Sequence, residues 1–124
     1  MSRVKSRDTK PEMVVRRIVF GLGFRYRLHK SLLPGRPDLV FARQHKTIFV
    51  HGCFWHGHRQ CRYGNLPKSR VSFWGGKITN NRKRDRRSLR LLAKMGWKNL
   101  VIWQCELKRP EKLMAKIHDF LTEE

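Results

Sequence analysis

The sequence predicts an α/β domain in which a small sheet is flanked by helices. Three observations favour this fold class. Segments with helical periodicity alternate with short runs rich in β-branched and aromatic residues. A length of 124 residues suits one domain with a modest core. The chain contains no internal repeat and no composition shift that would mark a second unit, so we expect one domain over residues 1–124.

The first helix is predicted from Lys10 to Leu22. It follows a capping box in which Thr9 is the N-cap and Glu12 reaches back from the third position, with a proline in the first turn. Gly21 and Gly23 can end the helix. One stripe at helical spacing holds the apolar positions Met13, Val14, Ile18 and Leu22.

Three strands are expected next. Residues 24–29 alternate strictly between apolar and basic side chains, and a turn over residues 31–36 follows. Residues 37–41 and 47–50 form two further strands, which we expect to pair as a hairpin. The composition of the last strand indicates that it is buried, and it delivers His51 at its end.

The second half of the chain should contain a loop, a long helix, a strand and a terminal helix. Residues 62–76 are typical of a loop, although they carry Phe73 and Trp74. A helix from Lys77 to Met95 ends at Gly96, and residues 97–103 form a buried strand. Pro110 then begins a helix that runs to Leu121. The predicted order is helix, three strands, helix, strand, helix.

The charge of the chain indicates a polyanionic partner. Its 29 Lys and Arg residues face only 9 Asp and Glu residues, which gives a formal net charge of +20. Nucleic acid is the expected partner of such a protein. A ribosomal protein or nucleoid packer, which binds phosphates without chemistry, is the alternative. No apolar run approaches the roughly 18 residues of a membrane span, and we expect a cytoplasmic protein.

Residues 51–61, HGCFWHGHRQC, combine candidate metal ligands with aromatic side chains. The spacing of Cys53, His58 and Cys61 is typical of zinc ligands. Cys105 is the remaining cysteine, so the simplest closed tetrahedral site uses these three residues and Cys105. Ordinary buried cysteines and surface histidines are the alternative. A zinc site of this composition leaves His51 and the histidine at position 56 available for chemistry.

Four segments together resemble the Vsr family of very-short-patch mismatch endonucleases. They are PGRPDLVF at 34–41, HGCFWHGH at 51–58, the basic stretch 81–87, and GWKNLVIWQCEL at 96–107. The resemblance covers nearly the whole chain, and the order of its elements matches the wider PD-(D/E)XK nuclease superfamily. It implies a restriction-endonuclease-like core, a central mixed β-sheet flanked by helices, with a structural zinc site.

The resemblance also implies a set of catalytic residues. Asp38 would hold a catalytic Mg²⁺, and Glu12 would be an active-site acid acting through water. His51 and His56 match the two active-site histidines of the family, and Asp85 would orient His56. Each acid also has a plainer interpretation: Asp38 could cap a turn, Glu12 could complete the capping box, and Asp85 could pair with an arginine of its own helix for about half a kcal/mol.

The residues that contact DNA are likewise implied by the resemblance. In Vsr-like enzymes, aromatic side chains at the positions of Phe54, Trp55 and Trp74 intercalate beside a T:G mismatch. Such insertion costs a few kcal/mol of lost base stacking and yields a kinked duplex. Asn81 and Arg84 would bind the DNA, with phosphate contacts from basic residues 59–70 and 77–87. Core packing is the usual alternative for aromatic residues, and we assign Trp97 and Trp103 to the core.

The implied reaction is Mg²⁺-dependent hydrolysis of the thymine strand 5′ to a T:G mismatch in double-stranded DNA, which starts very short patch repair of deaminated 5-methylcytosine. The resemblance also implies mismatch-repair proteins as partners, and a monomer in the bacterial cytoplasm that associates with the nucleoid when bound to DNA. Val50 departs from the family because it offers no side-chain ligand, and two residues separate His58 from Cys61 where some relatives have one. The alternative functions are a restriction-like nuclease without mismatch specificity and a zinc-stabilised DNA-binding module.

Overall fold

The computed structural model describes residues 10–28, 33–53 and 71–123, including side chains for all of these except 71–76. The elements follow the predicted order of helix, three strands, helix, strand and helix, with an added 3₁₀ turn before the last helix. They are α1 (Lys10–Gly21), β1 (Arg27–Leu28), β2 (Leu39–Phe41), β3 (Lys46–His51), α2 (Val71–Lys94), β4 (Lys98–Trp103), the 3₁₀ turn (Gln104–Lys108) and α3 (Pro110–Thr122).

The four strands form one mixed sheet in the order β1-β2-β3-β4. β2 and β3 are an antiparallel hairpin in which Leu39 lies opposite Ile48, as predicted. β4 pairs with β3 in parallel, with Leu100 beside Ile48. A parallel pair needs a long crossover connection, and α2 belongs to that connection. The predicted central mixed sheet flanked by helices is therefore confirmed.

Side chains alternate between the two faces of the sheet, and each face packs against different helices. One face carries Leu39, Phe41, Ile48 and Ile102. These residues form the main core with buried residues of the first and last helices: Val15, Val19, Leu113, Ile117 and Leu121. The opposite face carries Thr47, Phe49 and His51, and α2, which packs against β4, lies on this side, since Gly35 contacts both Ser88 of α2 and Phe49. The sheet is thus the middle layer of three.

Two helix ends follow the glycine signals in the sequence. After α1, Gly23 adopts a positive φ of 92°, and the Phe24 N–H donates back to the Val19 carbonyl oxygen at 3.2 Å. After α2, Gly96 has a φ of 89°, and the Trp97 N–H donates to the Leu92 carbonyl oxygen at 3.0 Å. Both are Schellman motifs, which favour glycine because it enters the left-handed region without steric cost.

Several predicted boundaries were wrong. The helix expected from Lys77 begins at Val71, so residues 71–76 are helical instead of loop. Two glycines at about 1 kcal/mol each are too weak a signal to stop a helix that continues for many residues. Among the described residues β1 comprises Arg27 and Leu28, both exposed, so the predicted strand begins three residues later than Phe24.

The two tryptophans assigned to the core are half-buried instead. Trp97 lies at the start of β4, where its ring packs against His45 with 4.9 Å between ring centroids. Trp103 lies at the other end of β4 and packs edge-on against His51. Because both are at strand ends, each ring has one side that the sheet cannot cover.

Among the described residues, no helix is long and apolar enough to cross a membrane.

Candidate active site

Asp38 is held at the entrance of β2 by two backbone hydrogen bonds. Its own N–H donates to the Ile48 carbonyl oxygen at 3.1 Å. Its Oδ2 atom accepts a hydrogen bond from the Val50 N–H at 2.6 Å. The carboxylate therefore bridges β2 to the end of β3, one residue before His51. This geometry gives the side chain a defined position relative to the strand that carries the histidine.

The turn before Asp38 depends on Gly35. This glycine has a φ of 76°, and a Cβ atom there would lie 2.6 Å from Ser88 Cβ and 3.2 Å from Phe49 Cε2. Both the conformation and the close contact with α2 exclude a side chain. The PGRPD segment is thus packed between the sheet and α2, which explains a glycine in a motif that positions a carboxylate.

Glu12 lies beside Asp38 although it belongs to α1. Its side chain is only 2% exposed. It forms a hydrogen-bonded ion pair with Arg16, one helical turn further along α1. It also shares a hydrogen bond with the Asp38 carboxyl group. The structure therefore brings together the two predicted active-site acids. Thr9, the other member of the predicted capping box, lies outside the described residues.

The environment of this carboxyl pair raises the pKa of Asp38 to about 8. Burial is the largest cause, because it disfavours the charged form. The hydrogen bond from the Val50 N–H lowers the pKa, whereas the hydrogen bond and negative charge of Glu12 raise it, and Arg16 lowers it again. One proton is therefore retained on the pair near neutral pH when no cation is present.

His51 ends β3 as a buried side chain, 6% exposed. Its ring is edge-on to Phe49 at 5.8 Å and to Trp103 at 5.2 Å between centroids. Packing on two aromatic rings restricts the orientation of the imidazole. The strand that leads to it also includes Val50, whose half-buried side chain packs against the main core and points no ligand toward Asp38.

α2 presents Asn81 and Asp85 on the same side as its buried residues. Asn81, Asp85, Ser88 and Leu92 recur at intervals of four, three and four residues, which is one face of a helix. Asp85 is half-buried, and its distance to Arg84 Nη2 is 4.0 Å. Residues adjacent in a helix do not face each other, so this contact is a weak explanation for the aspartate. Arg84 itself is mostly exposed, with 63% of its side chain accessible.

Cys53 and Cys105 are brought together although 52 positions separate them. The Cys105 N–H donates to Cys53 Sγ at 3.4 Å, and the Cys53 side chain is fully buried. Glu106 stabilises this turn, because its carboxylate accepts from the Trp103 N–H at 3.0 Å and from Lys116 Nζ at 2.8 Å. Two of the four predicted zinc ligands thus meet. The described part of the chain holds no group of three metal-binding side chains.

Comparison with known proteins identifies the family. Residues 1–62 match the family model for the DNA mismatch endonuclease Vsr. The chain is 49% identical to the type II nicking enzyme V.XorIIP of Xanthomonas oryzae pv. oryzae over 98% of this chain and 88% of that protein. It is 41% identical to the DNA mismatch endonuclease Vsr of Escherichia coli over 91% of this chain and 72% of that protein. The chain belongs to the Vsr family. It is a hydrolytic DNA endonuclease.

A solved structure supports the same fold. The catalytic domain of the homing endonuclease I-Bth0305I superposes with a TM-score of 0.63, covering 91% of this chain and 94% of that domain, at 21% identity. This likeness, together with the mixed sheet, confirms the restriction-endonuclease-like α/β fold expected for a Vsr protein. The predicted zinc site within that fold stays a prediction.

Other predicted functional residues of this Vsr-family chain lie outside the described part. They are Phe54, Trp55, His56, His58 and Cys61, together with the side chain of Trp74. Their roles stay predictions. Sequence reasoning missed Arg16, which compensates the charge of Glu12. The signal was present, because an acid and a base four residues apart on one helix face are expected to pair.

Proposed function

We propose that this Vsr-family protein is a Mg²⁺-dependent nickase that cuts the thymine strand 5′ to a T:G mismatch and so initiates very short patch repair of deaminated 5-methylcytosine. The observation that carries the proposal is the buried carboxyl pair of Glu12 and Asp38 at the end of the sheet. Burying two acids together is costly unless a proton or a cation compensates them. A divalent cation held at the scissile phosphate would compensate the two acids in this way.

The residues present fit a magnesium ion. Carboxylate oxygens are the hard ligands that Mg²⁺ prefers, and it is commonly held by one or two carboxylates with water completing the shell. Asp38 would hold the ion directly, and Glu12 would contribute through water. With valine at position 50, this strand could add only its backbone carbonyl. When bound, Mg²⁺ neutralises negative charge that develops on the phosphate during cleavage.

The protein groups around the carboxyl pair would then position it and move protons. The Val50 N–H holds one oxygen of Asp38, which orients the carboxylate. Arg16 keeps Glu12 in place through their ion pair and offsets part of the negative charge. His51 and His56 supply imidazoles, whose ordinary pKa near 6.5 suits acid and base work at neutral pH. Asp85, on the inward face of α2, would fix the orientation of His56.

Mismatch recognition is assigned to aromatic side chains. Phe54, Trp55 and Trp74 would enter the base stack beside the T:G pair, where a mismatch makes unstacking cheaper than in a matched duplex. Asn81 and Arg84 would bind the DNA alongside. The two relatives support both parts of the proposal, since one is named a DNA mismatch endonuclease and the other a type II nicking enzyme.

We further propose that Cys53, His58, Cys61 and Cys105 hold a structural zinc. The hydrogen bond between the Cys105 N–H and Cys53 Sγ supports this, because such donors stabilise a thiolate and the contact brings the Cys105 backbone next to the Cys53 sulfur. The ion would tie the segment after β3 to the segment after β4. Its function would be structural, which leaves the reactive chemistry to Asp38.

The decisive experiment measures strand-specific cleavage. Duplexes of identical sequence carrying T:G, T:A or C:G at one position are labelled separately on each strand and incubated with Mg²⁺. We expect a single nick on the thymine strand of the T:G duplex, and no nick when Mg²⁺ is omitted. Equal cleavage of matched duplexes would favour the restriction-like nuclease. Binding without any Mg²⁺-dependent product would favour the DNA-binding module.

Two variants make the assay specific for the proposed site. Asp38→Asn keeps the shape and both hydrogen-bonding positions of the side chain but removes the anionic ligand, so we expect cleavage to be lost while binding persists. Asp119→Asn is the matched control, because Asp119 is exposed on α3 and the substitution is chemically the same. Loss of activity in both variants would point to a general effect of charge and contradict the assignment.

A further inference from the structure

A row of cations lies on the side of α2 that faces away from the sheet. Lys83, Arg87, Arg90 and Lys94 follow one another at intervals of four, three and four residues, so they form a single stripe along the helix, here called the outer ridge. All four side chains are exposed. The buried residues Ile78, Ser88 and Leu92 occupy the opposite side of the same helix.

The outer ridge is not neutralised by the acids that the structure describes. Among the residues in the described ranges, Glu12 pairs with Arg16, Asp85 with Arg84, Glu106 with Lys116 and Glu123 with Lys98. Asp85 is the only acid in the sequence of α2, and it points inward. Four like charges along one face repel each other and weaken a helix. A polyanionic partner bound along the ridge would offset this repulsion, which accounts for the arrangement of the charges.

The geometry separates this ridge from the candidate active site. Asn81 and Asp85 lie on the inward side of α2, and the ridge lies on the opposite side of the same helix, whose diameter is about 10–12 Å. A straight duplex bound at the inward side would therefore not lie along the outer ridge. From Lys83 to Lys94 the ridge is about 17 Å long, and B-DNA carries about ten phosphate charges over that length.

We infer that the outer ridge is a second DNA-binding surface, which holds the backbone of a duplex other than the one being cut. The inference rests on charge complementarity and on the orientation of α2, and it goes beyond the proposed cleavage of a mismatched duplex. Contacts of this kind read phosphates and carry no sequence information. The protein would then hold two segments of duplex DNA at once, so that the nuclease site is presented to one segment while bound to another.

The experiment uses the full chain without Mg²⁺, so that neither duplex is cut. Two 20-base-pair matched duplexes, one with a donor dye and one with an acceptor dye, are mixed with protein at one protein per two duplexes. Energy transfer reports two duplexes in one complex, and sedimentation gives its composition. We expect a complex of one protein and two duplexes. A limit of one duplex per protein, or a complex of two proteins and two duplexes, would overturn the inference.

Variants place the second duplex on the ridge. Lys83 and Arg87 also belong to residues 77–87, the segment predicted to hold the cleaved duplex. The test therefore changes the other two ridge residues, with Arg90→Gln and Lys94→Gln. Arg109→Gln with Lys112→Gln is the matched control, because both residues are exposed near the start of α3. For the second duplex, the slope of log K against log salt should fall by about 1.8 in the ridge variant, since each phosphate contact contributes about 0.9. It should not change in the control.

Further measurements identify the partner of the ridge and distinguish loss of the second duplex from loss of folding. Binding of the first duplex, and nicking of a T:G duplex where that activity is found, should be unchanged in the ridge variant. An equal loss of both binding events would assign the ridge to the first duplex and refute the inference. In a competition experiment, poly-glutamate and unlabelled DNA are compared at equal charge concentration. If both displace the second duplex equally well, the ridge is a non-selective polyanion surface and the inference is refuted.

Discussion

The buried carboxyl pair predicts an unusual dependence of stability on pH. The pKa of Asp38 is raised from 3.8 to about 8 in the folded protein, so the folded state binds this proton more tightly than the unfolded state. The proton therefore stabilises the fold fully below pH 4, and this contribution is lost as pH rises through 8. The Mg²⁺-free protein should become less stable between pH 5 and pH 8.

The size of the effect follows from the pKa difference. Each unit corresponds to about 1.4 kcal/mol, which sets an upper bound of about 6 kcal/mol for the full shift. Because part of residue Asp38 remains exposed to solvent, screening reduces this value, and we expect a loss of roughly 3 kcal/mol in unfolding free energy between pH 5 and pH 8. That is a large part of the stability of a small domain.

Asp38→Asn isolates the contribution of this group. The amide can accept from the Val50 N–H and donate to Glu12, but it has no proton to lose in this pH range. The variant should match the wild type at pH 5 and exceed it in stability at pH 8. Urea unfolding in Mg²⁺-free buffer without chelator measures this and leaves any zinc in place. Asp119→Asn is the control, and equal pH dependence in wild type and Asp38→Asn would refute the reasoning.

Three further predictions follow from the same structure. Protons compete with Mg²⁺ at the Asp38 carboxyl group, so the Mg²⁺ concentration for half-maximal nicking should rise up to tenfold for each pH unit below 8. If Mg²⁺ titrations of the nicking rate give the same half-maximal concentration at every pH, the prediction is contradicted. Gly35→Ala should lower the unfolding free energy by roughly 2 kcal/mol, because Gly35 has a positive φ and a Cβ atom there would meet Ser88. Gly21→Ala is the control and should change the unfolding free energy far less, since a Cβ atom there meets nothing within 4 Å. Equal effects of the two variants in urea unfolding would count against the packing of the turn at Gly35. Cys105→Ser should reduce bound zinc from one equivalent toward none in elemental analysis, and retention of a full equivalent would exclude Cys105 as a ligand.

The elements that the sequence predicted well are those with a strong local signal. Gly23 and Gly96 end their helices because the left-handed conformation of the Schellman motif favours glycine over other residues. The β2–β3 hairpin is a run of mostly buried residues, as predicted. β4 forms where predicted, but within it Ile102 is buried and the other residues are partly or fully exposed, so the expected buried strand is only partly so. The start of α2 at Val71 was missed because two glycines suggested a loop. Helix propensity is a weak guide there, since a neighbouring amphipathic segment extends the helix.

The candidate site was predictable as a set of residue types but not as a set of contacts. Asp38 stood out because an acid in an apolar strand requires a partner. Its partner Glu12 lies 26 positions earlier on a helix, and no local pattern joins the two. Cys53 and Cys105 were assigned to one zinc site because such a site uses all three cysteines of the chain, and the structure brings these two together, while the zinc itself stays a prediction. Trp97 and Trp103 were misplaced because hydrophobicity does not tell the centre of a strand from its ends.

The two ends of β3 explain why one part of the sheet can carry chemistry. At its start, Lys46 is buried and donates to the carbonyl oxygens of Phe120 and Glu123, where a cation is favoured by the C-terminus of α3. This contact anchors the last helix against the sheet. At its end, β3 brings the Val50 N–H to Asp38, one residue before the buried His51. Because one end is held by a buried cation and apolar packing, the other end can bury two acids that would destabilise a less anchored fold.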